Sequence, residues 1–417
     1  MHAVNLAVTG LTALPGTAKS MACIKAMSRF LRHEDVPLPA LIEPVQEGIR
    51  EALAVSTAPV ALVVHDWCMI HYRTANADRY RRSHDQDLGY ELGTALIVDA
   101  DAGRPLGPME LRVRTATTTP STRPGATANP PGHVDELLDV MTDARTRWHL
   151  GKPPVHVIDR EADSVDHYRQ WSHRGHTFLV RADADRVVKR DGTSVKLARM
   201  SSEPGLAWAP VREATGRATR VRVRGTEGTL WVAEAAVVLD RPAKKRVGAE
   251  RIDVPGVPLP LRLVLSWVLG EDGEVLAEWY LFTNAGAEFD AARVAQWYTW
   301  RWRIETYHKP LKSAGMNAER WEQESGEAVA KRLVVASMAC LTVWHLTEDR
   351  SVAAGELRVV LVRLSGRQMK HRVESTPPAL LAGLEKLLAL DDLQEQYDLH
   401  AVLDLARRVL PKLFNSA

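Results

Sequence analysis

The sequence predicts an α/β fold, a mixed sheet flanked by helices, interrupted by an inserted β-rich unit and ending in a helical region. Three observations predict it. Two apolar runs, ALVVHD at 61–66 and PPVHVID at 153–159, each end in an aspartate and read as buried strands. From about 186 to 282, RVRVRG, TLWVAEAAVVL, LPLRLVLSWVLG and AEWYLFTN alternate as antiparallel strands do. Beyond Asp290 the apolar spacing turns helical, with a break near 366–378.

Taken in order, residues 20–54 read as helix. Met21, Ile24, Met27 and Leu31 share a face, and LIEPVQEGIREALA resumes after Pro37 and Pro39. ALVVHD is the first strand. GYELGTALIVD and GRPLGPMELRVRT read as two strands joined at Asp101–Gly103. TATTTPSTRPGATANPPG (115–132) is the Thr/Pro/Gly-rich stretch expected to be a flexible loop. A helix follows in HVDELLDVMTDARTRW, then the second strand ending in Asp, a helix from about Asp163, and the strand TFLVRADA.

Composition excludes several classes. The chain has 417 residues, is 45% hydrophobic and 25% charged, and carries a net charge of +2, so bulk charge announces no polyanionic partner. A basic footprint has to be local, and 11 Lys/Arg against 6 Asp/Glu between Arg199 and Arg251 are a local excess of base. Cys23, Cys68 and Cys340 form neither a disulfide framework nor a zinc spacing, which suits a reducing cytoplasm. The longest apolar run, Val334–Trp344, is too short to span a bilayer and reads as a buried helix, so no membrane is expected.

Asp66 and Asp159, at strand ends, and Glu305, on a later helix, are the candidate ligands of an all-oxygen site for hard divalent ions. Alone, each aspartate reads more readily as a turn former or helix cap than as a ligand. Glu305 lies in YTWRWRIETYHKPLK (298–312), where on a continuous helix Tyr298, Arg301, Glu305 and Lys312 fall within roughly 60° of one another. A solvated i,i+4 pair of Arg301 and Glu305 is the plainer reading of that face. The aromatics weigh against it, because rings beside cations stack bases while gripping phosphates. Trp297 and Trp300 read as core.

Tyr-x2-Arg-x3-Glu-x6-Lys, with VVHD (63–66), VIDREADS (157–164), FLVRA (178–182) and EWYLFTN (278–284), resembles the bacterial cut-and-paste transposases of the insertion-sequence-four group, relatives of the transposon-five enzyme. The resemblance covers about 20–346. It implies an RNase-H-like core with a β insertion before the catalytic glutamate, and an Asp-Asp-Glu triad of Asp66, Asp159 and Glu305 that holds two Mg²⁺ ions, with Mn²⁺ as a substitute. The implied reaction is metal-dependent cleavage of transposon ends through a hairpin, followed by strand transfer. Tyr298, Arg301 and Lys312 resemble a clamp on the phosphate beside a flipped base, Trp279 the ring that stacks on it, Arg181 a DNA contact and Trp302 a second wedge.

The implied partners are the double-stranded terminal repeats and target DNA, bridged by a homodimer in a synaptic complex in the bacterial cytoplasm. The division expected is 1–54 a short helical remnant of an end-recognition domain, 55–185 and 276–346 the two parts of the core, 186–275 the insert, and 347–417 a helical dimerisation region. The short start leaves an alternative: a non-cutting relative that inhibits a full-length enzyme. Trp67-Cys68 stand where small residues follow the first aspartate in the family, and Pro310 is expected to kink the helix ahead of Lys312.

Overall fold

The computed structural model describes residues 21–409 apart from 73–76, 82–87, 126–127, 130–131, 204, 214, 248–249, 313–315, 322, 324 and 370–372. Residues 1–20, the first part of the 1–54 segment taken above as the remnant of an end-recognition domain, lie outside the described residues. The chain divides into two compact units, one of 1–44, 70–89 and 307–417, the other of 45–69 and 90–306.

The elements run α1 (Met21–Arg32), α2 (Leu38–Val55), β1 (Ala61–His71), β2 (Tyr80–Arg81), β3 (Leu88–Asp99), β4 (Pro105–Arg114), α3 (Leu137–Thr146), β5 (Pro154–Ile158) and a 3-10 turn (Arg160–Ala162). Next come α4 (Val165–His173), β6 (Thr177–Ala182), β7 (Val187–Arg190), β8 (Thr193–Lys196), α5 (Leu197–Met200), β9 (Ala209–Pro210), β10 (Arg220–Val223), β11 (Thr226–Leu239), β12 (Ala243–Val247), β13 (Glu250–Val254), β14 (Leu259–Leu269) and β15 (Val275–Thr283). The helices α6 (Ala291–Thr299), α7 (Trp302–Lys312), α8 (Gly326–Glu348), α9 (Val352–Ser365), α10 (Pro377–Gln396) and α11 (Leu399–Val409) follow.

Among the described residues, thirteen strands join one mixed sheet in the order β2-β3-β1-β5-β6-β15-β14-β11-β7-β8, with β4 on β3 and β9 and β10 on β11. β1, β5 and β6 are parallel, and β15, β14 and β11 continue them antiparallel. This is the mixed α/β sheet with flanking helices that the pattern predicts. The run 187–269 forms antiparallel strands, and β14 pairs directly with β15, so it extends the main sheet.

The parallel strands are apolar on both sides because helices cover them. One core gathers Ile158, Phe178, Val180, Leu263, Leu265 and Phe282 under Tyr168 and Trp171 of α4. A second packs Ala61, Val63, Ala95 and Ile97 against Ile49 and Leu53 of α2 and Val140 and Ala144 of α3. In the other unit α8 is the core. It starts on Ser325, whose hydroxyl accepts from Ala328 N, and is long and apolar enough by composition to cross a membrane. Most of its apolar stretch, however, is buried inside the fold.

Two expectations need correction. The Thr-rich stretch after β4 is packed, not loose, over its described residues 115–125. Thr115, Thr119 and Thr122 are buried, the Thr122 hydroxyl accepts from Leu111 N at 3.0 Å, and Thr119 donates to Asn129 at 2.6 Å. Hydroxyls satisfying local backbone replace the ladder, so a turn-forming composition does not mean a mobile one. β1 also runs on past Asp66 to His71, which places Asp66 inside a strand.

Candidate active site

Strand register lines up the acids. His65 pairs with Ile158, and Ile158 with Val180. One residue further along the three parallel strands stand Asp66, Asp159 and Arg181, and alternation puts all three on the face opposite His65 and Ile158. Arg181 is in turn opposite Leu281 of β15. The α6–α7 segment brings Tyr298, Arg301 and Glu305 to that face.

The buried guanidinium of Arg301 is the hub. Nη2 lies 2.8 Å from Glu305 Oε1 and 3.4 Å from Asp159 Oδ2. Burial opposes its charge, but Tyr298, Asp159, Asp66 and Glu305 outweigh burial and push its pKa above the ordinary arginine value. Asp66 feels the same group. Its pKa is raised to about 6, chiefly by burial, with the charge of Arg301 opposing and the charges of Glu305 and Asp159 adding to the rise. The three acids thus meet electrostatically around one arginine.

Asp159 is held from several directions. Arg181 Nε lies 2.7 Å from Oδ1, the Tyr298 hydroxyl donates to Oδ1 at 3.1 Å, and Arg160 N donates at 2.6 Å as the 3-10 turn begins. Burial, and then the charge of Asp159, raise the pKa of Tyr298, so it remains a neutral donor. Among the described residues Arg301 Nε has no hydrogen-bond partner, which leaves the hub a buried donor to spare.

The aromatics separate. Trp297 is core, its indole donating to Ala100 O at 3.1 Å. Trp300 packs on the turn at Gly103, where a Cβ would fall 2.4 Å from the ring and the φ of +64° favours glycine in any case. Trp279 is buried edge-on to Tyr298, with ring centroids 5.4 Å apart, so its surface is already used inside the fold. Trp302 is 51% exposed, with the Arg301 guanidinium 5.1 Å from its ring.

The signature is not one continuous helix. α6 ends at Thr299, Trp300 and Arg301 form a turn, and α7 starts at Trp302. The bonds Arg303 N to Trp300 O (2.9 Å) and Ile304 N to Arg301 O (3.1 Å) tighten this junction to 3-10 geometry. The common face expected from helical periodicity is therefore replaced by a bend that turns Arg301 inward. α7 continues through Pro310 to Lys312, which belongs to the other unit and lies 3.7 Å from Glu319.

The donors fit hard divalent cations in kind: three carboxylates, one of them driven toward its neutral form by burial and by the other two. As the side chains lie, no group of three or more His, Cys, Asp or Glu among the described residues is close enough to enclose an ion. Arg301 supplies the compensating positive charge.

Sequence reasoning missed the groups beneath the site. On the sheet face opposite the aspartates, His65 and His156 share a 2.9 Å hydrogen bond between β1 and β5, and burial keeps both neutral. His133 stacks on Trp67 and reaches Glu91 and Glu161. Glu110, Arg112 and Glu136 form a buried ionic cluster nearby. None of these spacings is a motif.

Fold and site define an α/β protein built on a mixed sheet consistent with an RNase-H-like core, with acidic groups at adjoining strand positions and on a later helix. Residues 126–342 match the family described as Transposase DDE domain, slightly more than half of the chain, and the chain belongs to that family. The match includes Asp159 and Glu305, and Asp66 precedes it. Among solved structures, the chain is similar to a piggyBac transposase in a synaptic complex with hairpin DNA. The TM-score is 0.33 at 10% identity, covering 71% of this chain and 50% of that one. The chain spans half the length of that protein.

Proposed function

We propose that this protein is a DNA transposase of the insertion-sequence-four type, cutting transposon ends through a hairpin and joining them to target DNA. The observation that carries this reading is the register placing Asp66, Asp159 and Arg181 side by side, with Glu305 drawn to them through Arg301. Asp66, Asp159 and Glu305 would hold the divalent ions, Mg²⁺ by preference, and these supply Lewis-acid chemistry at the phosphodiester.

The chain's own residues bind and orient the DNA. Arg301, with its spare Nε donor, and Arg181 offer planar guanidinium groups to phosphate oxygens. Tyr298 fixes Asp159 through its hydroxyl. The exposed ring of Trp302 is the better base platform, and Trp279 supports Tyr298 from behind. Homodimerisation draws support from α9–α11, where Val352, Val359, Val360, Leu393, Leu405 and Val409 are exposed and α11 buries no residue.

The test is incubation with plasmid DNA carrying the sequences that flank the coding element, with Mg²⁺. Wild type is expected to release the element, and Asp159→Ala to release none. Equal products from the two, none included, refute the reading.

A further inference from the structure

Two catalytic aspartates on neighbouring strands need a fixed separation, and the backbone just beyond each is what sets it. Asp66 is followed by Trp67, whose side chain points to the opposite face of the sheet and is buried. Asp159 is followed by the 3-10 turn Arg160–Ala162, which contains Glu161. Both neighbours converge on one side chain. The His133 ring stacks on Trp67, with centroids 4.5 Å apart and planes 29° from parallel. Its Nε2 lies 3.2 Å from Glu161 Oε2, and its Nδ1 3.5 Å from Glu91 Oε2 on β3.

We propose that His133 is a positioning residue for the ion site, clamping the chain just past Asp66 to the chain just past Asp159 and bracing both against β3. This rests on the reading of those aspartates as ion ligands. The clamp is a charged one. Burial works against the protonated ring, but the hydrogen bonds and charges of Glu161 and Glu91 prevail and raise its pKa to about 9. At neutral pH an imidazolium therefore sits between two carboxylates with one face on an indole, a cation–π arrangement. Glu91 is buried, so the contact is shielded from water on that side. The buried indole of Trp67 supplies the surface on which the imidazolium stacks, and a small side chain there would offer it none.

The clamp makes a claim that simple packing does not. Groups that orient metal ligands from outside typically change ion affinity by about 10–100-fold. The test is Mn²⁺ binding to the full-length protein, followed by the electron paramagnetic resonance of free Mn²⁺, with a thermal melt of each variant alongside. His133→Phe keeps a ring on Trp67 and removes both ion pairs. Glu161→Gln, at a half-exposed side chain, keeps the shape and removes one charge, and it serves if His133→Phe does not fold.

Wild type is expected to bind Mn²⁺ and Asp159→Ala to lose that binding. Each clamp variant is expected to bind about tenfold more weakly, and the double variant no more weakly than His133→Phe alone. Clamp variants that melt earlier yet bind Mn²⁺ as tightly as wild type overturn the inference and leave the functional reading standing. Wild type and Asp159→Ala binding alike overturn both.

Discussion

Replacing Arg301 by methionine tests whether one guanidinium holds the acidic centre together. The side chain is 4% exposed and faces Glu305 at 2.8 Å and Asp159 at 3.4 Å. Removing one partner from a buried ionic group costs roughly 3–5 kcal/mol, because charges are left uncompensated. Asp159 and Glu305 keep 24% and 42% exposure, so water relieves part of that cost and the lower end, about 3 kcal/mol, applies. For a cooperative unit of roughly 150–250 residues each kcal/mol moves Tm by about 2–4 °C, which gives a fall of about 6–12 °C.

The variant should also respond differently to divalent ions. At ten times Kd, ligand binding adds about 1.4 kcal/mol. In wild type an ion entering among the acids has to displace Arg301, whereas in Arg301→Met that competing cation is gone. Differential scanning calorimetry with and without Mg²⁺ is therefore expected to show a lower Tm for the variant and a larger Mg²⁺ increment. A variant melting within 1 °C of wild type, or equal increments in both, refutes the hub.

Four further outcomes are expected. Tyr298→Phe removes a hydroxyl donor to the Asp159 carboxylate, a bond worth about 1.5–3 kcal/mol, so DNA cleavage should fall at least about tenfold with Trp279 still packed. Trp302→Ala should leave Tm unchanged, since the ring is exposed, and weaken hairpin-DNA binding in a gel-shift assay by about tenfold, the worth of one stacked base. In acid, unfolded histidines take up protons near pH 6.5, whereas burial holds His156 to about 3 and His176 to about 4, so stability falls as pH drops below 6.5 by about 1.4 kcal/mol per unit for each. Asp66, raised to about 6, contributes the opposite slope between about 6 and 4; His156→Gln should flatten the acid limb of a Tm–pH curve. Burial pushes the Cys340 thiol up to about 12, so in the native protein it should not react with Ellman's reagent at pH 8.

Much of the sheet was legible because its strands advertise themselves. ALVVHD and PVHVID are too apolar for a half-exposed strand, and the alternation of TLWVAEAAVVL marks a strand of the antiparallel type, which the structure pairs with β14. The pairing of Glu305 with Arg301 was legible from their four-residue spacing. The bend between α6 and α7 was not, because neither Trp300 nor Arg301 is a helix breaker and the turn is imposed by tertiary packing of Trp300 on Gly103. The same limit hid the burial of Trp279 and the exposure of Trp302, since a tryptophan reads alike in either state. His133 was invisible for a different reason: its partners are dozens of residues away, and a single histidine carries no period.

The hydrogen-bonding of β14 to β15 has a consequence for how this chain could be cut down or recombined. A segment that interrupts a core in sequence suggests a detachable module. Here its strands complete the ladder whose other side is β6, the strand of Arg181. Excising it would leave Leu281 and Phe282 on a strand with one row of open amides, an adhesive border inviting other chains. The main sheet depends on these strands as its flank.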